Sequence, residues 1–514
     1  MSPLSAFRTP AQAGAQSIAA GLARRFRPFS GSRSSPGYWK RSALGIVSLL
    51  ALAACTTVGP DYHKPVASAP AEGAFLKGGN PAFTVAEPAG EWWRLYQDPV
   101  LDGLVADAFA HNTDLRVATA NLARARAALR ETRADRLPQT EIGAGATYGR
   151  TPVTQTGPGL DRESENYDLG LSVAYEVDLF GRVARSIEAA RGDADALAAA
   201  RDAVRVAVAA ETARAYADAS SSAERLGVAE RSADLIGQTL TITTKRFEAG
   251  RGTRLDVSRV ASLRDQQQAT LPPLRAERDG ALFRLATLTG RAPAELPPEA
   301  GARRTTLRLD QAIPVGDGRA LLARRPDIRQ AERALAAETA RIGVATADLY
   351  PRISFGGSIG STGPSIGDIF TGGPFRWLLG PLLNWTFPNQ QANRARIAQS
   401  EASAEAALAR FDGTVLTALQ ETETALSAYA HELDRRQSLA GARDAAGLAA
   451  KLARLQLQAG RTDSLAALDA ERTLADAEAA LALSDARIAT AQVDLFRALG
   501  GGWQTDEPVA VAAR

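Results

Sequence analysis

The 514 residues include one cysteine, one methionine and three histidines. A lone cysteine, Cys55, excludes a disulfide within the chain and any multi-cysteine metal site. His63, His111 and His431 have no partner at ligand spacing, and no phosphate-cradling glycine loop or nucleophile elbow occurs. No catalytic residue, cofactor or metal is assigned, and the chain reads as a non-enzyme. A basic face is missing as well. Seven of the 60 basic residues and none of the 57 acidic ones fall in residues 1–54, so the remainder carries a formal charge of −4. That leaves no basic stripe for a nucleic-acid partner. Proline is absent from residues 183–271 and 389–507.

The positive residues 1–54 read as a signal peptide. Lys40 and Arg41 precede the apolar run 43–53, which is too short to cross a bilayer as a helix. The run ends Leu52-Ala53-Ala54-Cys55, small residues before a cysteine, as in a bacterial lipobox, where the Cys55 thiol is acylated. Residues 55–90 are rich in Pro, Ala and Gly, with too few large apolar side chains for a core, and read as a lipidated, extended tether.

The proline-free stretches predict long helices at 182–249 and 389–459. Val183, Ile187, Ala190, Ala194, Leu197, Val204, Val208 and Ala215 follow a three-four alternation, and so do Leu408, Phe411, Val415, Leu419, Thr422, Leu426, Tyr429 and Leu433. Such spacing makes a seam for neighbouring helices, and each run would be a rod of roughly 100 Å. Medium helices are predicted at 252–289 and 462–499.

The chain is also written twice. Asp114 and Pro138 correspond to Asp327 and Pro351, and Glu211, Gly250 and Gly290 to Glu421, Gly460 and Gly500. A unit this long is a duplicated half rather than a solenoid repeat. The expected units are 91–300 and 301–500, followed by a tail at 501–514.

Between the helices the period falls to two, predicting strands at 140–150, 167–180, 352–361 and 375–387. Ile142, Leu171, Ile359 and Trp377 stand on apolar sides, with Asp168, Glu176, Asp178 and Arg376 on polar ones. A soluble sandwich half and a transmembrane barrel both fit. Four strands cannot close in lipid, where about eight is the minimum and open edges are not tolerated, so a barrel requires two, three or four copies. Residues 151–166 and 362–373 would be exposed loops.

Three stretches carry a family resemblance: the lipobox with Val58-Gly59-Pro60-Asp61-Tyr62, the element Trp92-Trp93…Asp98-Pro99-Val100-Leu101, and Arg324-Arg325-Pro326-Asp327. Together they resemble the outer-membrane factor family, the TolC-like exit ducts of bacterial efflux pumps, in its lipoprotein branch. The resemblance implies a mainly α fold with transmembrane β: a homotrimer forming a 12-stranded β-barrel, four strands per chain, continuous with a 12-helix periplasmic α-barrel. It implies an outer-membrane location, an anchor through acylated Cys55, and two partners, a periplasmic adaptor and an inner-membrane resistance–nodulation–division pump. It further implies an adaptor-contacting tip at Gly250, Arg251, Gly252, Thr253, Leu255, Gly460, Arg461, Thr462 and Leu465, and a gate at Asp256 and Asp469, with Asp463 substituting for an acid missing at Ala466. The family's gate tyrosine falls on Leu457 and its partner arginine on Thr462, both departures. A type I secretion duct and a periplasmic coiled-coil scaffold without a barrel are the competing expectations.

Overall fold

The computed structural model describes residues 57–502, apart from 67, 156, 158, 160, 372–374, 460 and 463. Cys55, Gly460 and Asp463 lie outside the described residues. Helices α1 (Pro99–His111) and α2 (Thr113–Ala134) lead into strands β1 (Gln139–Arg150) and β2 (Glu163–Val177). Helix α3 (Arg182–Glu248) descends 67 residues, and α4 (Arg254–Gln268) and α5 (Leu271–Leu288) return. The second half repeats the plan: α6 (Gly318–Arg324), α7 (Pro326–Ala347), β3 (Arg352–Gly363), β4 (Phe375–Asn384), α8 (Gln391–Gln458) and α9 (Ser464–Ala498).

The first return helix, expected unbroken over 252–289, is two helices. Pro272 and Pro273 cannot donate backbone hydrogen bonds to the preceding turn, so they occupy the first turn of α5, where that donor is dispensable. The matching return helix α9 contains no proline and runs straight through 35 residues. Strand ends also differ from expectation. β2 starts at Glu163 and stops at Val177, β3 runs on to Gly363, and β4 ends at Asn384. The intervening loops are correspondingly shorter. Asp178 therefore lies beyond the sheet, where its carboxylate accepts from the Val183 and Ala184 amides at 3.1 and 2.8 Å. It caps α3, whose N-cap residue, Gly181, has no side chain to do so.

The four strands form one antiparallel sheet in order β1-β2-β3-β4. Its register puts Ile142 beside Leu171, Leu171 beside Ile359 and Ile359 beside Trp377, a single apolar row. Glu141, Ser172 and Ser358 are paired in a row of the other face. The outer edges of β1 and β4 have no partner strand among the described residues.

Five of the eight expected seam residues of α3 are deeply buried (Val183, Ile187, Ala194, Val208, Ala215), while Ala190, Leu197 and Val204 are half-buried. In α8, Phe411, Thr422, Leu426 and Tyr429 are buried, Val415, Leu419 and Leu433 half-buried and Leu408 exposed. The contrast follows from neighbours. α3 packs against α2 and α7 near the sheet and against α4, α5 and α9 below, whereas α8 has only α7 and α9 as major partners.

The main core lies at mid-height, where irregular chain wraps the helices. Trp92 is fully buried and stacks on Phe496 with centroids 4.7 Å apart. Asp98 caps α1 through the Val100 and Leu101 amides and accepts from Tyr216 Oη at 3.0 Å and Arg303 Nη1 at 2.9 Å. Burial, then the neighbouring Asp98, pushes the Tyr216 phenol far above its ordinary pKa, so it remains a donor. The stretch expected as a free tether joins this core. Phe75 and Phe83 are buried in it, Phe83 lies 5.9 Å from Tyr429, and Phe83–Thr84 pairs with Ile313–Pro314 as a short parallel bridge. Two aromatics anchor a segment that is otherwise too apolar-poor to fold by itself.

Candidate functional site

Two regions can act: the sheet with the helical wall below it, and the far turns of the helical hairpins. On the sheet's polar face Asp168 accepts from Thr362 Oγ1 at 2.6 Å and pairs with Arg376, tying β2, β3 and β4 across the sheet. Near the junction with the helices, Arg182 grips Glu176 through two bonds of 2.8 and 2.6 Å. Charges satisfied on one side and aliphatic side chains exposed on the other are what separate water from lipid across one strand thickness.

Below the sheet α3 also has two faces. Ala209, Ala213, Tyr216 and Ala217 pack into the mid-height core. Glu211, Arg214, Asp218 and Arg225, three, four and seven residues apart, lie on the opposite side. They pair there with Arg497 (3.4 Å), Asp494, Arg284 (2.7 Å) and Glu277 (2.6 Å) on α9 and α5. Burial raises the Asp218 carboxyl against the opposing pull of Arg284. A wall of paired charges stays wet without concentrating either sign.

The first far turn closes α3 with a Schellman motif. Gly250, at φ 71°, donates to the Phe247 carbonyl and Arg251 to the Arg246 carbonyl, at 2.9 and 2.8 Å. Thr253 then begins α4 with a capping box. Its hydroxyl accepts from the Asp256 amide at 3.2 Å, and Asp256 Oδ2 accepts from the Thr253 amide at 3.0 Å. The second turn repeats the closing bond, Arg461 to Gln456 at 2.8 Å. Arg246 bridges the two hairpins by donating to the Leu457 carbonyl at 3.1 Å.

The outer membrane efflux protein family profile matches residues 104–291 and 318–501, most of the chain and in two stretches. The chain belongs to the outer membrane efflux protein family. The outer membrane protein OprJ of Pseudomonas aeruginosa is 31% identical over 478 residues, covering 92% of this chain and 98% of that one. SilC of Salmonella typhimurium, a probable outer membrane lipoprotein, is 27% identical over 481 residues, covering 90% and 99%. The solved outer-membrane channel OprN superposes with a TM-score of 0.82 at 36% identity, covering 88% of this chain and all of that one. The fold is that of these channels, a sheet for the outer membrane continued by a helical periplasmic body. The scaffold without a barrel is thereby overturned.

Among the residues expected to act, Gly250, Arg251, Gly252, Thr253, Leu255 and Asp256 share the first turn of the channel, and Arg461, Thr462 and Leu465 the second. Asp256 is engaged as a capping carboxylate, and the Thr253 hydroxyl and then its amide hold it below an aspartate's usual pKa. Asp469 is exposed on α9, two turns past Thr462. Leu457, at the family's tyrosine position, is buried. Two features escaped the sequence reading. Arg246 is an arginine in a helix's last turn, a recognisable carbonyl ligand, but its acceptor lies 211 residues away. The charge ladder on α3 is visible as alternating signs at helical spacing, and only the fold shows its partners on α5 and α9.

Among the described residues no helix is long and apolar enough to cross a membrane, and no cluster of metal-ligating side chains is present.

Proposed function

We propose that the protein is the passive exit duct of a tripartite efflux system. Three copies join β4 of one to β1 of the next, giving 12 strands around a watery lumen. The helices form a 12-helix tunnel beneath, with each composite strut of shorter helices counted as one. The observation that carries this reading is the two-faced, open-edged sheet set on helices of roughly 100 Å. Exposed Leu448, Leu452 and Leu455, on one side of α8, supply an apolar stripe for the adjoining copy. No catalytic step is involved. A resistance–nodulation–division pump supplies the energy and a periplasmic adaptor meets the tip at Gly250, Arg251, Gly252, Thr253, Leu255, Gly460, Arg461, Thr462 and Leu465.

In this reading residues 1–54 are a cleaved signal and Cys55 carries lipid into the outer membrane. Asp469 and Asp463 form rings of like charge about the threefold axis, which disfavour full closure and attract cations. Asp256 shapes the first tip turn by capping α4. The experiment is a deletion strain: susceptibility to dyes and antibiotics rises and is restored by the wild-type gene. A deletion that changes no susceptibility, and whose product never fractionates with the outer membrane, would remove the reading.

A further inference from the structure

The helices beside the two open sheet edges each keep an unpartnered face. α2 has α3 as its major partner, and the upper part of α8 has α7. On α2, Arg116, Arg126 and Arg130 are exposed and make no ion pair or side-chain hydrogen bond with a described residue. The same holds for Glu401, Glu405 and Asp412 on α8. At about 3.6 residues per turn the three arginines share one side of α2, and the three acids one side of α8. Arg124, Glu131 and Arg410 turn to the opposite sides, while Arg133 and Arg394 lie nearer the sheet. Beside the charged sides run exposed alanines, Ala120, Ala123 and Ala127 on α2 and Ala398, Ala402 and Ala409 on α8, which let two helices approach closely.

The heights of these groups match. α7 and α8 run antiparallel between two contacts, Arg325 to Glu421 at 2.8 Å and Asn393 to the Asp348 carbonyl at 2.8 Å. Equal rise per residue between them brings Gly343 level with Glu401 and Thr339 level with Glu405. In the repeat, α2 stands at the height of α7: Arg182 feels the charges of both Asp135 and its counterpart Asp348. Arg130 and Arg126 are the counterparts of Gly343 and Thr339. Rotation about a symmetry axis preserves height, so Arg130 of one copy is level with Glu401 of the next and Arg126 with Glu405.

We propose that the basic side of α2 docks on the acidic side of α8 in a second copy of this chain, Arg130 with Glu401 and Arg126 with Glu405, and that these pairs set the register in which copies join. The proposal rests on the three-copy duct given above. The sheet alone does not fix that register. A slip of two residues between β4 and β1 keeps the apolar face toward lipid, and it moves the helices by roughly one turn. That slip would set Arg130 against Glu405 and leave Arg126 and Glu401 single. Complementary charge at two heights forbids it.

The test reverses each side in the full chain: Arg126→Glu with Arg130→Glu, Glu401→Arg with Glu405→Arg, and all four together. Each protein is purified from outer membranes in mild detergent at low salt and heated, and the surviving three-chain fraction is read by light scattering. Each one-sided reversal should raise the dissociated fraction several-fold, and the four-fold variant should return to near wild type. High salt should narrow the differences. If either one-sided reversal behaves as wild type, or the four-fold variant is no better than the worse of them, the pairing is wrong and the three-copy reading stands. A wild type that never forms a three-chain particle sinks the reading itself. Should the reversed proteins fail to assemble, Ala127→Cys with Ala402→Cys is oxidised instead: covalent links between chains support the docking, and their absence overturns it.

Discussion

Arg246, in the last turn of α3, donates to the Leu457 carbonyl in the last turn of α8 at 3.1 Å, so the ends of both long helices are held by one side chain. An arginine on a part-buried helix-end carbonyl stabilises it by about 1 kcal/mol. Arg246→Ala should therefore shift tip opening several-fold per chain and raise single-channel conductance. Lys245→Ala, an exposed neighbour, should leave conductance unchanged. Equal conductance in both variants would remove Arg246 from the tip.

Arg325 is nearly buried and satisfies three groups: Asp327, Glu421 at 2.8 Å and the Ala498 carbonyl at 2.9 Å. Arg319 pairs with Glu72 from a side chain that is 77% exposed. Removing the first leaves a buried carbonyl with only the Thr422 hydroxyl at 3.5 Å, and two partly solvated carboxylates unpaired from it, at a cost of about 1–3 kcal/mol; removing the second costs about 0.5 kcal/mol or less. Arg325→Ala should lower the temperature at which the oligomer dissociates in heated gels, and Arg319→Ala should not.

The capping box at Thr253 gives the first tip turn a pH dependence. Its hydrogen bonds hold the Asp256 carboxyl below the ordinary aspartate range. The folded turn thus prefers the ionised form, and the stabilisation is fully present above the unfolded aspartate's pKa. It is lost as the pH falls through the depressed folded value. The protection of the turn's amides, taken relative to their intrinsic exchange rate at each pH, should be constant from neutral to mildly acidic pH and fall only below an aspartate's usual titration. Thr253→Ala should abolish that acid sensitivity and cost about 1 kcal/mol of local stability.

Asp469 is exposed, and its proposed place in a charge ring at the tip is read by ion flux. Asp469→Ala and Asp463→Ala should each reduce cation selectivity in planar bilayers. Selectivity equal to wild type in both would take these residues out of the gate.

Much of this architecture was legible from local pattern. Period two in Leu169, Leu171 and Val173 fixed a two-faced strand, because a strand's side chains alternate whatever it pairs with. The matched glycines at 250 and 290 marked helix ends, because only a residue tolerating positive φ closes a Schellman turn. What stayed hidden is non-local. Phe75 and Phe83 dock an otherwise polar segment onto residues hundreds of positions away. The expectation of one helix over 252–289 fails at Pro272 and Pro273, which open α5 rather than continue α4. Leu408 follows the seam spacing yet is exposed in the single chain, consistent with a partner that belongs to a neighbouring copy.

The central claim is that one chain is a fraction of a pipe. Purification from outer membranes in mild detergent, with mass measured by light scattering and the same sample reconstituted into planar bilayers, tests it in one preparation. A particle of three chains that opens a conducting path is the predicted result. A monodisperse single chain that leaves the bilayer sealed would contradict it.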